Sequence, residues 1–217
     1  MNKRIIIFDL DGTILDTLQD LCNSVNYALK LHGLPARSLE QVRCDVGNGI
    51  RKLIRRSLPS GTSVDTYESV FKLFTQHYGA HCTDLTKTYP GIPELLTELH
   101  MHGFQTAVLS NKADFAVQLL IKQFYPDQFD AVMGERESIP KKPAPEGIFR
   151  ILSSLGAEQC EAVYVGDSEV DIQTAANAKL PCICVDWGFR SRETLERAGA
   201  GLIVSSAEEL LERLICF

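Results

Sequence analysis

Hydrophobic positions follow two different periods in two parts of the chain. Residues 5–8 form a short β-branched apolar run closed by a glycine-containing turn, which predicts a buried β-strand. Beyond Tyr89-Pro-Gly91, apolar runs of strand length alternate with segments of helical period. Such alternation predicts a parallel sheet covered by helices on both faces, and we expect the first strand to join that sheet.

The predicted elements of this second part can be placed from the pattern alone. The strands are 104–109, 130–133, 162–165, 182–185 and 202–204, and the helices are 93–102, 115–124, 146–155, 170–178, 192–198 and a last one that ends at Leu214.

Residues from about 17 to 85 show helical spacing and no convincing strand. Leu18, Leu21, Val25 and Leu29 recur at helical intervals. The segment Ser38-Leu-Glu-Gln41 has the spacing of a capping box, which marks the start of a helix. We therefore predict an α/β core formed by residues 1–16 and 87–217, with residues 17–86 inserted after the first strand as a helical unit.

Composition excludes several classes of protein. The 217 residues are 45% hydrophobic and 23% charged, as in an ordinary globular domain. The net charge of -6 argues against broad electrostatic binding to nucleic acid or to anionic membranes. No apolar run reaches the length that spans a bilayer. The seven cysteines include no C-x-x-C pair and are interpreted as reduced thiols. We expect a cytoplasmic protein without a signal peptide, and leave open the choice between monomer and homodimer.

Polar side chains follow four of the predicted strands, at the edge of the sheet where ligands bind in doubly wound folds. They are Asp9 and Asp11 after the first strand, Ser110, Asn111 and Lys112 after the second, Lys141 and Lys142 after the third, and Asp167, Ser168 and Asp171 after the fourth. Taken singly, each could be a helix cap, a turn residue or a solvated lysine. Together they predict a site.

The balance of charge at this edge predicts a divalent cation. Four carboxylates against one or two lysines would leave negative charge uncompensated in a cleft. A few carboxylate oxygens, completed by substrate phosphate, are the ligands that Mg²⁺ prefers. One carboxylate could then attack phosphorus, while its neighbour two residues on serves as general acid and then base. The hydroxyl and a lysine would hold the phosphoryl oxygens.

Four segments in order resemble the motifs of the haloacid dehalogenase superfamily. They are Asp9-Leu-Asp11-Gly12-Thr13, Leu109-Ser110-Asn111-Lys112, Lys142-Pro143-Ala144-Pro145 and Gly166-Asp167-Ser168-Glu-Val-Asp171. The resemblance covers the whole chain. It implies a Rossmann-like doubly wound parallel sheet, with residues 17–86 as an inserted α-helical cap domain. A cap of this kind is expected to close over the site and exclude water, with hinges near 16–17 and 87–90.

The resemblance also implies a role for each motif residue. Asp9 is expected to be the nucleophile, Asp11 the general acid and base, Ser110 a phosphate ligand and Lys142 the cation that neutralises nucleophile and phosphate. Mg²⁺ is expected on Asp9, the backbone carbonyl of Asp11 and Asp167, with Asp171 supporting from behind. Gly12, Thr13 and Asn111 are expected to contact substrate. The Lys-Pro-x-Pro register selects Lys142 over Lys141.

The segment from Val46 to Leu58 resembles the specificity segment of phosphoglycolate phosphatases. Gly47, Asn48 and Gly49 are expected to let backbone amides approach a small anion, next to the positive end of a helix. Arg51 and Arg55 share a helix face, and both are expected to be able to meet a substrate carboxylate. Asp45 departs from the bulky apolar residue usual before this segment.

The predicted function is a Mg²⁺-dependent phosphatase that acts on a small phosphorylated metabolite, phosphoglycolate-like, through an aspartyl-phosphate. A carboxylate at position 11 argues against dehalogenases and phosphonatases, and the absence of histidine between residues 12 and 31 argues against a mutase. A pyrophosphatase or nucleotidase on the same core remains an alternative. So does a non-catalytic module that binds phosphometabolites, and an aspartate-phosphorylated receiver domain is disfavoured by the helical insertion.

Overall fold

The computed structural model describes residues 4–216, so residues 1–3 and 217 of the predicted core lie outside the described residues. In chain order the elements are β1 (Arg4–Phe8), β2 (Leu15–Asp16), α1 (Leu18–Leu31), α2 (Leu39–Asp45), α3 (Ile50–Ser57), α4 (Val64–His81), β3 (Lys87–Thr88), α5 (Ile92–Met101), β4 (Phe104–Ala113), α6 (Asp114–Phe124), β5 (Ala131–Glu135), α7 (Glu146–Leu155), β6 (Ala162–Gly166), α8 (Glu169–Asn177), β7 (Cys182–Val185), α9 (Arg192–Arg197), β8 (Ile203–Val204) and α10 (Ala207–Ile215).

The predicted parallel sheet is confirmed. Six strands pair in the order β5-β4-β1-β6-β7-β8, and every pair is parallel. Alternate residues of β1 enter different apolar clusters, because successive side chains of a strand point to opposite faces. Ile6 and Phe8 belong to one cluster, while Ile5 and Ile7 belong to the other. Both faces of the sheet are therefore buried, which is why its central strand is uniformly apolar.

β4 is longer than the sequence pattern predicts. It continues through Ser110, Asn111 and Lys112 to Ala113, so these polar residues lie within a strand and not after it. Its pairing with β5 is irregular here. Leu109 pairs with Met133 and Ala113 pairs with Glu135, so β4 advances by four residues where β5 advances by two. Such an irregularity bends a strand and redirects its side chains. The site residues of β4 come from this irregular stretch.

The helices α1 to α4, here called the helical block, leave and rejoin the core at one place. β2 and β3 flank the block and pair antiparallel, with Leu15 opposite Thr88 and Asp16 opposite Lys87. None of the described residues from 17 to 86 lies in a strand. The predicted capping box is confirmed, since Ser38 Oγ accepts from Gln41 N and Ser38 N donates to Gln41 Oε1.

No helix in the described part of the chain is both long enough and apolar enough to cross a membrane.

Candidate active site

Three buried carboxylates meet where β1 and β6 end. Asp9, Asp167 and Asp171 each offer an oxygen, and these oxygens all lie within 4.8 Å of one another. Burial, followed by repulsion from Asp171, raises the pKa of Asp9 to about 7 although Lys142 opposes the shift. The pKa of Asp167 is raised well above its usual range, by burial first and by Asp171 and Asp9 next. A set of hard oxygen donors with excess negative charge fits Mg²⁺.

Lys142 is the cation that the fold brings to these carboxylates. Its Nζ lies 2.8 Å from Asp9 Oδ1 and 2.7 Å from Asp171 Oδ1, and its side chain is 3% exposed. Burial alone would lower the pKa of Lys142, but Asp171 and Asp9 hold it well above its usual range. Lys141 instead pairs with Glu135, 2.6 Å away, and is 37% exposed. The structure therefore places Lys142, and not Lys141, beside the predicted nucleophile.

Asp11 has a different cation as its partner. Lys112 Nζ lies 2.8 Å and 3.0 Å from the two carboxylate oxygens of Asp11, and Thr17 Oγ1 donates to Oδ1 at 2.5 Å. Lys112 Nζ also lies 4.7 Å from the ring centroid of Tyr78, a residue of α4. Burial would lower the pKa of Lys112, but Asp11 and Tyr78 raise it. Asp11 is thus held in a second buried ion pair, at the border of the helical block.

Gly12 and Thr13, predicted to contact substrate, support Asp167. Thr13 Oγ1 donates to Asp167 Oδ1 at 3.3 Å. Gly12 has a φ of +86°, and a Cβ at this position would lie 2.2 Å from Asp167 Oδ2. Only glycine combines this backbone conformation with so close an approach. On the other side, Phe189 N donates to Asp167 Oδ2 at 2.7 Å.

Ser110 and Asn111 lie at the same edge. Ser110 is 4% exposed and lines the cavity beside Asp9. The amide of Asn111 accepts from Lys142 N at 2.8 Å and donates to Lys142 O at 3.1 Å. Its Nδ2 also donates to Gly47 O at 3.0 Å. Asn111 therefore orients the backbone of Lys142 and contacts the helical block.

The helical block roofs the carboxylates and borders a partly open cavity of about 40 Å³. Val46, Gly47, Gly49, Ile50 and Leu53 line it from the block. The charged side chains that line it from the core are those of Asp9, Asp11, Lys112, Lys142, Asp167 and Arg190.

The matched family agrees with this geometry. The family model described as haloacid dehalogenase-like hydrolase matches residues 6–185, which include the four motif segments. The chain belongs to the haloacid dehalogenase-like hydrolase family.

Relatives of this hydrolase cover almost its whole length. It is 32% identical to a phosphoglycolate phosphatase of Mesorhizobium japonicum, over 99% of this chain and 98% of that protein. It is 34% identical to the phosphoglycolate phosphatase of Vibrio parahaemolyticus, over 96% and 95%. A crystal structure from Lactobacillus delbrueckii subsp. bulgaricus, provisionally named a phosphoglycolate phosphatase, superposes with a TM-score of 0.93 at 35% identity and covers 99% of both chains.

Several predicted substrate contacts of the hydrolase are not among the described residues that line the cavity, namely Gly12, Thr13, Asn48, Arg51 and Arg55. Arg51 pairs with Glu68 at 3.0 Å, and its side chain is 54% exposed. Its guanidinium lies over the ring of Phe71, and that of Arg55 lies over Tyr67. Helical spacing places both arginines on one face, but the packing of α3 against α4 turns that face outward from the site.

Two residues that line the cavity of the hydrolase, Phe189 and Arg190, were not predicted from the sequence. Both belong to the segment Asp186-Trp-Gly-Phe-Arg190, which follows β7 directly. The sequence signal is the same as for the other site residues, because the segment follows the predicted strand 182–185 at the edge of the sheet where ligands bind.

Proposed function

We propose that this hydrolase removes the phosphoryl group from a small phosphorylated metabolite through an aspartyl-phosphate on Asp9. The observation that carries the proposal is the position of Lys142, whose ammonium contacts Asp9 at the cavity floor. A cation held there can neutralise both the nucleophile and an incoming phosphate. A buried nucleophile with a fixed cation beside it is the arrangement that covalent phosphoryl transfer needs.

The reaction proceeds in two displacements. Asp9 attacks phosphorus, the bond from phosphorus to the leaving oxygen breaks, and Asp11 gives that oxygen a proton. Asp11 then takes a proton from a water molecule, whose oxygen attacks the phosphorus and releases Asp9. Ser110 donates to the phosphoryl oxygens throughout. For the first step Asp11 must leave its ion pair with Lys112 and take up a proton from solvent, which it then gives to the leaving oxygen.

The carboxylate cluster fits Mg²⁺, and the proposed ligands are Asp9, Asp167 and the backbone carbonyl of Asp11, with Asp171 supporting them. When bound, the ion neutralises charge on the phosphate and keeps the carboxylates ionised. Gly12 and Thr13 hold Asp167 in position to bind the ion. Asn111 holds the backbone of Lys142 in position beside Asp9.

Residues 17–86 are proposed to act as a cap over a core formed by residues 1–16 and 87–217. The antiparallel β2–β3 pair joins the two at a single narrow base. The block lines the cavity above Asp9, which supports a lid that controls the access of substrate and water to this carboxylate.

Phosphoglycolate is the proposed type of substrate. The relatives named above support this choice, and so does the small cavity. Gly47 and Gly49 have φ values of +114° and +85°, and the helix α3 begins directly after them. Backbone amides here can receive a small anion. Asp45, the departure from the family pattern, pairs with Arg37 at 3.0 Å, so its charge is offset.

The test is phosphate release from a panel of esters, with Mg²⁺ or with chelator. The panel holds phosphoglycolate, p-nitrophenyl phosphate, pyrophosphate and nucleoside monophosphates. Asp9→Asn is expected to lower turnover by about 10³-fold or more, because the amide cannot form the covalent intermediate. The control is Asp127→Asn, an exposed residue at a φ of 58° that asparagine also tolerates.

Each outcome of the panel has a distinct meaning. Preference for phosphoglycolate supports the proposed substrate. Preference for pyrophosphate or nucleotides replaces that substrate and retains the mechanism. Wild-type turnover by Asp9→Asn rejects Asp9 as nucleophile, and silence across the panel favours a module that binds phosphometabolites without catalysis.

A further inference from the structure

The side chain of Arg190 joins the core to the helical block. Its Nη1 donates to Arg43 O at 3.0 Å, and its Nη2 donates to Val46 O at 2.9 Å. Arg190 lies in the core loop that follows β7, whereas both carbonyls belong to the block. The side chain is 12% exposed, so these contacts are largely shielded from solvent. Shielding strengthens hydrogen bonds to a charged donor.

The two carbonyls lie at the carboxyl end of α2. Carbonyls in the last turn of a helix lack partners within the helix, and they carry the negative end of its dipole. A cation is therefore the favoured partner at this place. Here the cation comes from the core and not from the helix itself, so the contact exists only while block and core are together.

The guanidinium is fixed from behind by the core. Glu169 Oε2 accepts from Arg190 Nε at 3.0 Å, and Oε1 lies 3.4 Å from Nη2. The preceding residue, Phe189, donates its backbone N–H to Asp167 Oδ2. The arginine is thus positioned by α8 and by the carboxylate cluster before it reaches the block.

The residues that Arg190 holds lead directly into the roof of the cavity. Val46, Gly47 and Gly49 line the cavity, and Ile50 begins α3. Asn111 Nδ2 reaches the next carbonyl, Gly47 O, from the other side of the site. Two core side chains therefore bind three carbonyls of one short stretch, residues 43–47.

We propose that Arg190 is a positioning residue, a latch that holds the 46–49 loop over Asp9 by binding the carbonyls of Arg43 and Val46. In the latched state the 46–49 loop lines the cavity above Asp9. Release of the latch would free this loop to move away from Asp9, and the latch restores the roof afterwards. Asn111 assists, but it also orients Lys142, so Arg190 is the residue whose change leaves Lys142 and its contacts in place.

The latch is tested by amide hydrogen exchange on the substrate-free protein, which does not depend on the proposed reaction. Arg190→Met is expected to speed exchange of amides in residues 39–58 by about tenfold, because the loss of a hydrogen bond from a charged group makes local opening easier by about that factor. Exchange in β1 and β4 is expected to stay unchanged. The exchange rate of Arg190→Lys is expected to lie between those of wild type and Arg190→Met, because an ammonium cannot reach two carbonyls and Glu169 at once.

The matched control is Arg192→Met. Arg192 lies two residues further along the chain, and its recorded partners Asp186, Ser205 and Glu196 all belong to the core. Arg192→Met is expected to leave amide exchange in residues 39–58 at the wild-type rate. If Arg190→Met also loosens β1, Arg190→Lys, which keeps the charge, becomes the deciding variant.

A kinetic measurement completes the test, with p-nitrophenyl phosphate as the probe. We expect kcat/KM of Arg190→Met to fall by about tenfold, with partial recovery in Arg190→Lys. If kcat/KM falls while exchange stays at the wild-type rate, Arg190 contacts substrate directly and the latch is rejected. If exchange rises without any change in kcat/KM, the contact holds the block but does not position the roof, and the proposal also fails.

Discussion

Gly188 has no room for a side chain. A Cβ added to it would lie 2.3 Å from Gly12 O and 2.4 Å from Asp167 Cβ. Gly188→Ala must therefore push apart two segments that hold the carboxylate cluster. We expect the free energy of unfolding to fall by about 1–3 kcal/mol, the usual cost of overpacking, in chemical denaturation.

Gly201→Ala is the matched control for this change. A Cβ at Gly201 would meet nothing within 4 Å. We expect its free energy of unfolding to stay within about 0.5 kcal/mol of wild type. Equal stability of the two alanine variants would show that the loop after β7 can move away from Asp167, and the tight packing described above would be refuted.

The ion pairs show how far single residues can be interpreted from sequence. The acids Asp9, Asp167 and Asp171 and the cation Lys142 were predicted to meet, because all follow parallel strands that share one edge. The pairing of Asp11 with Lys112 was not predicted. It depends on the irregular stretch of β4, and nothing in the local sequence indicates in which direction that stretch turns its side chains.

At the scale of elements, α1 and α4 carry a stack of three aromatic rings. His77 on α4 lies 4.1 Å from Tyr27 and 4.3 Å from His81, measured between ring centroids. Its Nδ1 lies 3.0 Å from Ser24 Oγ on α1. Burial, and then His81, lower the pKa of His77 from its usual value of 6.5, although Asp84 opposes the shift.

This shift predicts a loss of stability in acid. With its pKa lowered, His77 binds fewer protons in the folded protein than in the unfolded chain, so folding is weakened as the pH falls through 6.5. His77→Gln should flatten that part of the curve of unfolding free energy against pH. The measurement is urea denaturation from about pH 5 to 8.

His102→Gln serves as the control for this titration, since His102 is exposed at the end of α5. It is expected to keep the wild-type slope. If His77→Gln loses stability in acid as steeply as wild type, the slope belongs to other groups and the ring stack does not cause it.

At the scale of the whole molecule, we expect the carboxylate cluster to lower the stability of the fold unless a divalent cation is bound. Asp167 is buried against Asp9 and Asp171, and its pKa is raised well above its usual range. Asp167→Asn removes one of these charges. We therefore expect the variant to melt at a higher temperature than wild type in chelator at pH 8.

Addition of Mg²⁺ should reverse this order. An ion that binds only the folded state raises wild-type stability by an amount that grows with its concentration, whereas Asp167→Asn has lost a proposed ligand. Asp127→Asn, which lies outside the site, should follow wild type in both conditions. Equal stabilisation of wild type and Asp167→Asn by Mg²⁺ would remove Asp167 from the proposed ligand set.

Much of the architecture was determined by the sequence alone. The period of apolar residues distinguishes buried strands from amphipathic helices, and parallel strands must bring their carboxyl ends to one edge. From these two facts follow the parallel sheet, the helical insertion and the meeting of Asp9, Asp167 and Asp171 with a lysine of the 141–142 pair, of which the family resemblance selected Lys142. Each depends on local pattern and chain connectivity, which a sequence states directly.

Tertiary structure alone decided how the helical block meets the core. Helical spacing places Arg51 on a face, but the packing of α3 on α4 turns that face away from the cavity. Arg190 and Lys112 acquire partners far along the chain, Arg43 and Asp11, which no local pattern connects to them. Contacts across an interface depend on how two surfaces fit together, and this fit is established only when the complete chain has folded.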